Sequence, residues 1–166
     1  MKFKVWLFVF ALVFATGTAM AAQEQVDPVD EIASRIWQEY PDLDTLKARF
    51  ENQAKWEERT EPNRHEPEFN VIIRVMESPG IEIHTLEAPQ DRFFITGIIV
   101  KSSGIKDFLG IDIGSSRDDV IGTFGDPHEI EGNRLGYYDQ ISGYNNIIFV
   151  IENGRVIEMR YIGDVG

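Results

Sequence analysis

The stretch "NNIIFVIENGRVIEMRYIG", residues 145–163, leaves this chain the least freedom. Two apolar, β-branched runs flank Asn153-Gly154. That dipeptide is the strongest short signal for a two-residue hairpin, because a type I′ turn needs positive φ at both central positions. Closed this way, the hairpin sets Val150 opposite Ile157 and Ile148 opposite Met159. These four then share one sheet face, and Phe149 and Ile151 share the other with Val156, Glu158 and Arg160. Four more stretches carry strand composition: "FNVIIRVM" (69–76), "IEIHTLE" (81–87), "RFFITGIIV" (92–100) and "RLGYYDQ" (134–140). "ESPG", "APQD" and "ISGYN" punctuate them as turns.

Upstream the period changes to that of a helix. In "VDEIASRIWQEYPD", Ile32, Ile36 and Tyr40 recur every four residues and Pro41 ends the run. In "DLDTLKARFENQAKW", Leu43, Leu46, Phe50 and Ala54 form one face, with Asp42 or Asp44 as cap. The charged stretch "RTEPNRHEP", residues 59–67, reads as a connection. The expected fold is therefore α+β: an antiparallel sheet of about five or six strands with helices packed on one face, in a weak tandem repeat of helix and hairpins. One domain spans 22–166, helical over about 29–58 and sheet-containing over about 68–163.

The glycine-rich stretch "GIDIGSSRDDVIGTFGDP", residues 110–127, invites a catalytic reading. A P-loop needs a lysine before its Ser or Thr, and none stands before Ser115-Ser116. A nucleophile elbow needs Gly-x-Ser-x-Gly, and Asp118 occupies the last place. The stretch instead punctuates a helix over 117–124. Ser116 caps it, Asp119 reaches back, Val120, Ile121 and Phe124 face inward, Gly125 ends it with a left-handed residue and Pro127 blocks continuation.

Gly114-x-Ser116-x-x-x-Val120-x-x-x-Phe124-Gly125-x-Pro127, a tyrosine-bearing strand, then Phe149, Asn153-Gly154 and Val156 together resemble the repeating unit of BLIP-like envelope proteins. These include the SmpA/OmlA (BamE) type and the secreted β-lactamase inhibitor protein. The resemblance covers about residues 110–162. It implies an α+β fold, an extracytoplasmic location and protein binding without catalysis. This chain lacks the lipid-anchoring cysteine of the BamE type and the disulfides of the inhibitors, since it has no cysteine.

Residues 1–21 have the three parts of a secretory signal: Lys2 and Lys4, an apolar run from Val5 to Ala15, and small residues at Ala19 and Ala21, with cleavage after Ala21. The expected location is the periplasm or the medium, with neither a membrane span nor a lipid anchor. The full chain carries −12, and loss of Lys2 and Lys4 takes the rest to −14. Such a charge repels nucleic acid and anionic membranes and suits a basic protein partner. Tyr138 on a strand, with Tyr144 and Asn145 at the "SGYNN" turn, are the candidate partner contacts. Glu82 and His84 share a strand face and are weak metal-ligand candidates, two donors short of a zinc site. No acid, base and stabiliser assemble in the sequence, so no catalytic residue and no cofactor is assigned. The expected function is a non-catalytic, exported protein-binding module. The alternative is a small periplasmic hydrolase or metal-binding protein.

Overall fold

A computed structural model describes residues 26–105, 108–139 and 143–163. The segment read as a signal peptide lies outside these residues, as do Gln140, Ile141 and Ser142 before the "GYNN" turn. Among the described residues no helix is long and apolar enough to cross a membrane.

Two helices come first. α1 (Pro28–Glu39) starts at Asp27, whose carboxylate accepts the Val29 N–H at 2.8 Å, and Pro28 supplies the preset φ of a first turn. Ile32 and Ile36 are buried, and Tyr40 closes the helix by donating its N–H to the Ile36 carbonyl. Asp42 caps α2 (Leu43–Phe50) through the Thr45 N–H at 2.7 Å, and Leu46 is buried. Four strands follow: β1 (Lys55–Pro62), β2 (Asn70–Ser78), β3 (Ile81–Ala88) and β4 (Arg92–Val100). Then come α3 (Arg117–Phe124), β5 (Glu129–Glu131), β6 (Arg134–Tyr138), β7 (Asn145–Glu152) and β8 (Arg155–Gly163).

All eight strands form one antiparallel sheet in the order β1-β2-β3-β4-β8-β7-β6-β5. Two four-stranded meanders meet at the β4–β8 seam. Cross-strand registry carries the core across that seam. Met76, Ile83, Ile98, Tyr161, Ile147 and Tyr137 lie in one transverse row, and every one is at most 2% exposed. Helix residues Ile32, Ile36, Leu46 and Val120 belong to the same apolar cluster. Burying such a side chain contributes about 1.5–3 kcal/mol, so the sheet face and the helices stabilise each other.

The sequence-based fold expectation needs correction. The chain is mostly sheet: eight strands and three short helices among the described residues, not an α+β protein built on five or six strands. Each half leads with helix, and the hairpins that follow are a full four-stranded meander. The two strands that hydropathy overlooked are the sheet edges. β1 is "KWEERTEP", in which Trp56 alone is bulky and apolar, and β5 is the three-residue "EIE". Edges are kept charged, short or proline-bearing because they carry unpaired backbone groups that invite aggregation. An edge built this way shows no alternating apolar pattern. β1 also takes residues assigned to the helical part and to the connection at 59–67.

The hairpin register needs a second correction. Asn153 (φ 50°) and Gly154 (φ 76°) form the expected two-residue turn, and Ile151 pairs with Val156. A bulge between Val150 and Ile151 then lets β8 slip by one residue. Val150 pairs with Glu158, Phe149 with Met159 and Ile148 with Arg160. Val156, Met159 and Tyr161 thus all reach the core, although 156 and 159 are of opposite parity, while Ile157 stays exposed.

Candidate functional site

The glycine-rich stretch is structural. Ser116 Oγ accepts the Asp119 N–H at 3.1 Å, and Asp119 accepts the Ser116 N–H at 2.8 Å, a complete capping box. The Ser116 hydroxyl and backbone amide hold the Asp119 carboxyl below the ordinary range. The loop is laced to the β7–β8 turn: Gly114 donates to the Val156 carbonyl and Arg117 to the Gly154 carbonyl. Val120 is fully buried, and Phe124 packs edge-on against Phe149 and tilted against Tyr137. Gly125 has positive φ as expected, but at φ 79°, ψ −164° it sits in a region open to glycine alone rather than in the left-handed helical well. Its carbonyl accepts the Tyr137 hydroxyl at 3.2 Å. Pro127 follows before β5. The Ser116 hydroxyl donates to the Asp119 carboxylate at 2.7 Å, so both groups are engaged in the cap.

The opposite face of the sheet carries a second transverse row: Val75, His84, Gly97, Ile162, Asn146 and Tyr138. The helices' buried residues join the core on the other side, and this row is half-buried to exposed, with Ile162 at 40%. Glu82 and His84 both project here, as two-residue spacing requires, and their carboxylate and imidazole are in contact. Among the described residues no three His, Cys, Asp or Glu come close enough to hold a metal ion. The structure brings the two metal candidates together without a third.

The tyrosines separate as strand alternation dictates. Tyr137 is buried on the core face, where burial pushes its phenol up. Tyr138 lies on the bare face over Gly136, with the His128 ring stacked on it at 6.0 Å. His128 Nδ1 accepts the Tyr138 N–H at 2.9 Å, which leaves Nε2 to carry the proton in the neutral ring. Tyr144 is 51% exposed at the turn. Asn145 turns the other way: its carboxamide oxygen accepts the buried Tyr161 hydroxyl at 2.7 Å. Tyr144 is thus exposed and Tyr138 half-buried, while Asn145 is held by Tyr161.

Sequence reading missed a cavity of about 580 Å³ near the free end of the first meander. Val71, Ile73, Leu86, Ala88 and Phe94 form its apolar floor, and residues 61–66 with Arg92 form its walls. The loop after β1 makes that wall because it is tied at its base. Asn63 donates to the Phe69 carbonyl, and its side chain accepts the N–H groups of His65 and Glu66. The visible signal was "PNRHEP": an Asx turn between two prolines, beside strands with apolar residues on both faces. On the core side, Arg74 bonds Glu58 at 2.7 Å and Glu87 at 2.6 Å. Burial alone would lower its pKa, and the two carboxylates outweigh that and raise it. Asp30 is raised by burial and then by the neighbouring buried Asp139, but neither acid lines the cavity. Set against family models, characterised proteins and solved structures, the chain finds no match in any of the three.

Proposed function

We propose that the protein is a non-catalytic binding module that works outside the cytoplasm and holds a protein partner on the bare face of its sheet. The observation that carries this reading is the transverse row Val75, His84, Gly97, Ile162, Asn146 and Tyr138, which lies on the face opposite the core. Val75, Ile162 and Tyr138 in this row leave apolar surface uncovered, which gains by being buried. The apolar centre with Tyr138 and Tyr144 beside it has the composition of a contact patch, in which aromatic anchors supply most of the binding energy. The charge of −14 on residues 22–166 favours a basic partner and a fast, salt-sensitive encounter. The signal-like residues 1–21 and the resemblance of 110–162 to BLIP-like envelope proteins support the location and the absence of chemistry.

The test is capture from an envelope extract at low salt by immobilised wild type and by Ile162→Glu and Tyr144→Ala, with circular dichroism on all three. Both substituted residues are exposed, so the fold is expected to persist. Loss of one defined partner in both variants supports the reading. Equal capture by wild type and Ile162→Glu contradicts it.

A further inference from the structure

The cavity beneath the β1–β2 loop is a site that the sheet-face reading does not use. Val71 and Ala88 lie on the bare face, yet they are only 6% and 9% exposed, because the loop closes over them. The floor is therefore apolar and sheltered, and about 580 Å³ lies within the range that small-molecule sites occupy.

The rim decides the ligand. Arg35, Arg49, Arg59, Arg74, Arg134 and Arg160 are each ion-paired to a carboxylate. Four arginines pair with no acid among the described residues: Arg64 and Arg92, which both line the cavity, and Arg117 and Arg155, which do not. Arg92 Nε donates only a 3.3 Å bond to the Pro89 carbonyl. Of the carboxylates lining the cavity, Glu61 is taken by Arg59, at 2.9 Å, which leaves Glu66 against two guanidiniums. With Arg59 counted against Glu61, the mouth carries one net positive charge on a strongly negative protein. Guanidinium groups match a carboxylate with charge-assisted, often paired hydrogen bonds, and the floor suits a hydrocarbon body.

We propose that this cavity binds a small amphipathic carboxylate, with its apolar body on Ile73, Leu86 and Phe94 and its carboxylate at Arg64 and Arg92. Ile162 does not line the cavity, so a substitution there tests the partner surface and not this site.

The experiment is calorimetric titration of the protein with decanoate, decanol and decylamine, which share a body and differ in the head. Decanoate is expected to bind with one-to-one stoichiometry and about tenfold or more tighter than the other two. In the Arg64→Gln/Arg92→Gln double variant that preference should vanish, while the melting temperature stays at the wild-type value because both residues are exposed. Ile162→Glu should leave decanoate binding unchanged. Equal affinity for the three heads, retention of the preference in the double variant, or absence of saturable decanoate binding would each overturn the proposal.

Discussion

Thr85→Val should stabilise this protein, against the usual direction of a core substitution. Thr85 is fully buried on the core face of β3, between Arg74 and Ile95 in register, and its hydroxyl has no hydrogen-bond partner. The neighbouring guanidinium of Arg74 directs Nε to Glu58 and Nη1 to Glu87 and makes no bond to this hydroxyl. A buried, unpaired polar group costs about 1–3 kcal/mol. Valine replaces the hydroxyl by a methyl of similar size, which adds up to about 0.8 kcal/mol of apolar transfer. Both residues are β-branched, so strand preference and χ1 restriction cancel. The expected net gain is about 1–2 kcal/mol, a rise in Tm of about 3–8 °C for a domain of this size. Urea unfolding measures it, with the midpoint moving up and the slope unchanged. Thr85→Ala separates the two terms: it sheds the hydroxyl but also a methyl, and should land near wild type. A loss of stability in Thr85→Val would show that the hydroxyl is bonded in solution and would refute the reasoning.

Ser116→Ala should cost about 1 kcal/mol through the lost cap. Because the folded-state pKa of Asp119 is lowered, its contribution is present above the ordinary carboxylate value and lost as pH falls through the folded one, so the deficit read from urea midpoints should shrink in acid. Val156→Ala should cost about 2 kcal/mol, two methyl groups and a residual cavity, whereas Ile157→Lys should stay within about 0.5 kcal/mol. Comparable losses from the two would contradict the bulged register. Burial pushes the Tyr161 phenol up to about 12. The folded chain therefore holds a proton that the unfolded chain releases from about pH 10, and stability falls as pH rises through that window. Tyr161→Phe should flatten the alkaline limb of a stability–pH curve, and an unchanged limb would place the titration elsewhere.

How much of this was legible in the sequence depended on which face a residue serves. The central strands were readable because apolar residues fill them: β4 runs over Arg92–Val100, as "RFFITGIIV" was expected to, and α3 over Arg117–Phe124. Local hydrogen bonding made the Ser116–Asp119 cap equally readable. β1 and β5 were hidden because an edge strand is selected for charge and brevity, which is the pattern of a loop. The slip in β8 was hidden for a different reason. A bulge is one extra residue, and "VIEM" offers apolar side chains to either register. Only the demand that Val156 and Met159 both reach the core selects the bulged one, and that demand comes from β7. The candidate surface was half legible. Alternation separated Tyr137 from Tyr138 correctly, but the commitment of Asn145 to Tyr161 is a contact over 16 residues. Of the cavity only the loop signal "PNRHEP" was visible, because Ala88 and Phe94 meet the loop at 63–66 only once the meander is folded.

Occupation of the bare face by a partner is the central claim to test. A photo-crosslinking side chain placed at Ile162, on the bare face, and another at Ser34, on the exposed side of α1, compare the two sides of the molecule directly. In envelope extract at low salt, the Ile162 derivative should form one discrete crosslinked species that salt suppresses, and the Ser34 derivative should form none. Crosslinking of the same species from Ser34, with none from Ile162, would contradict the assignment of the sheet face as the binding surface.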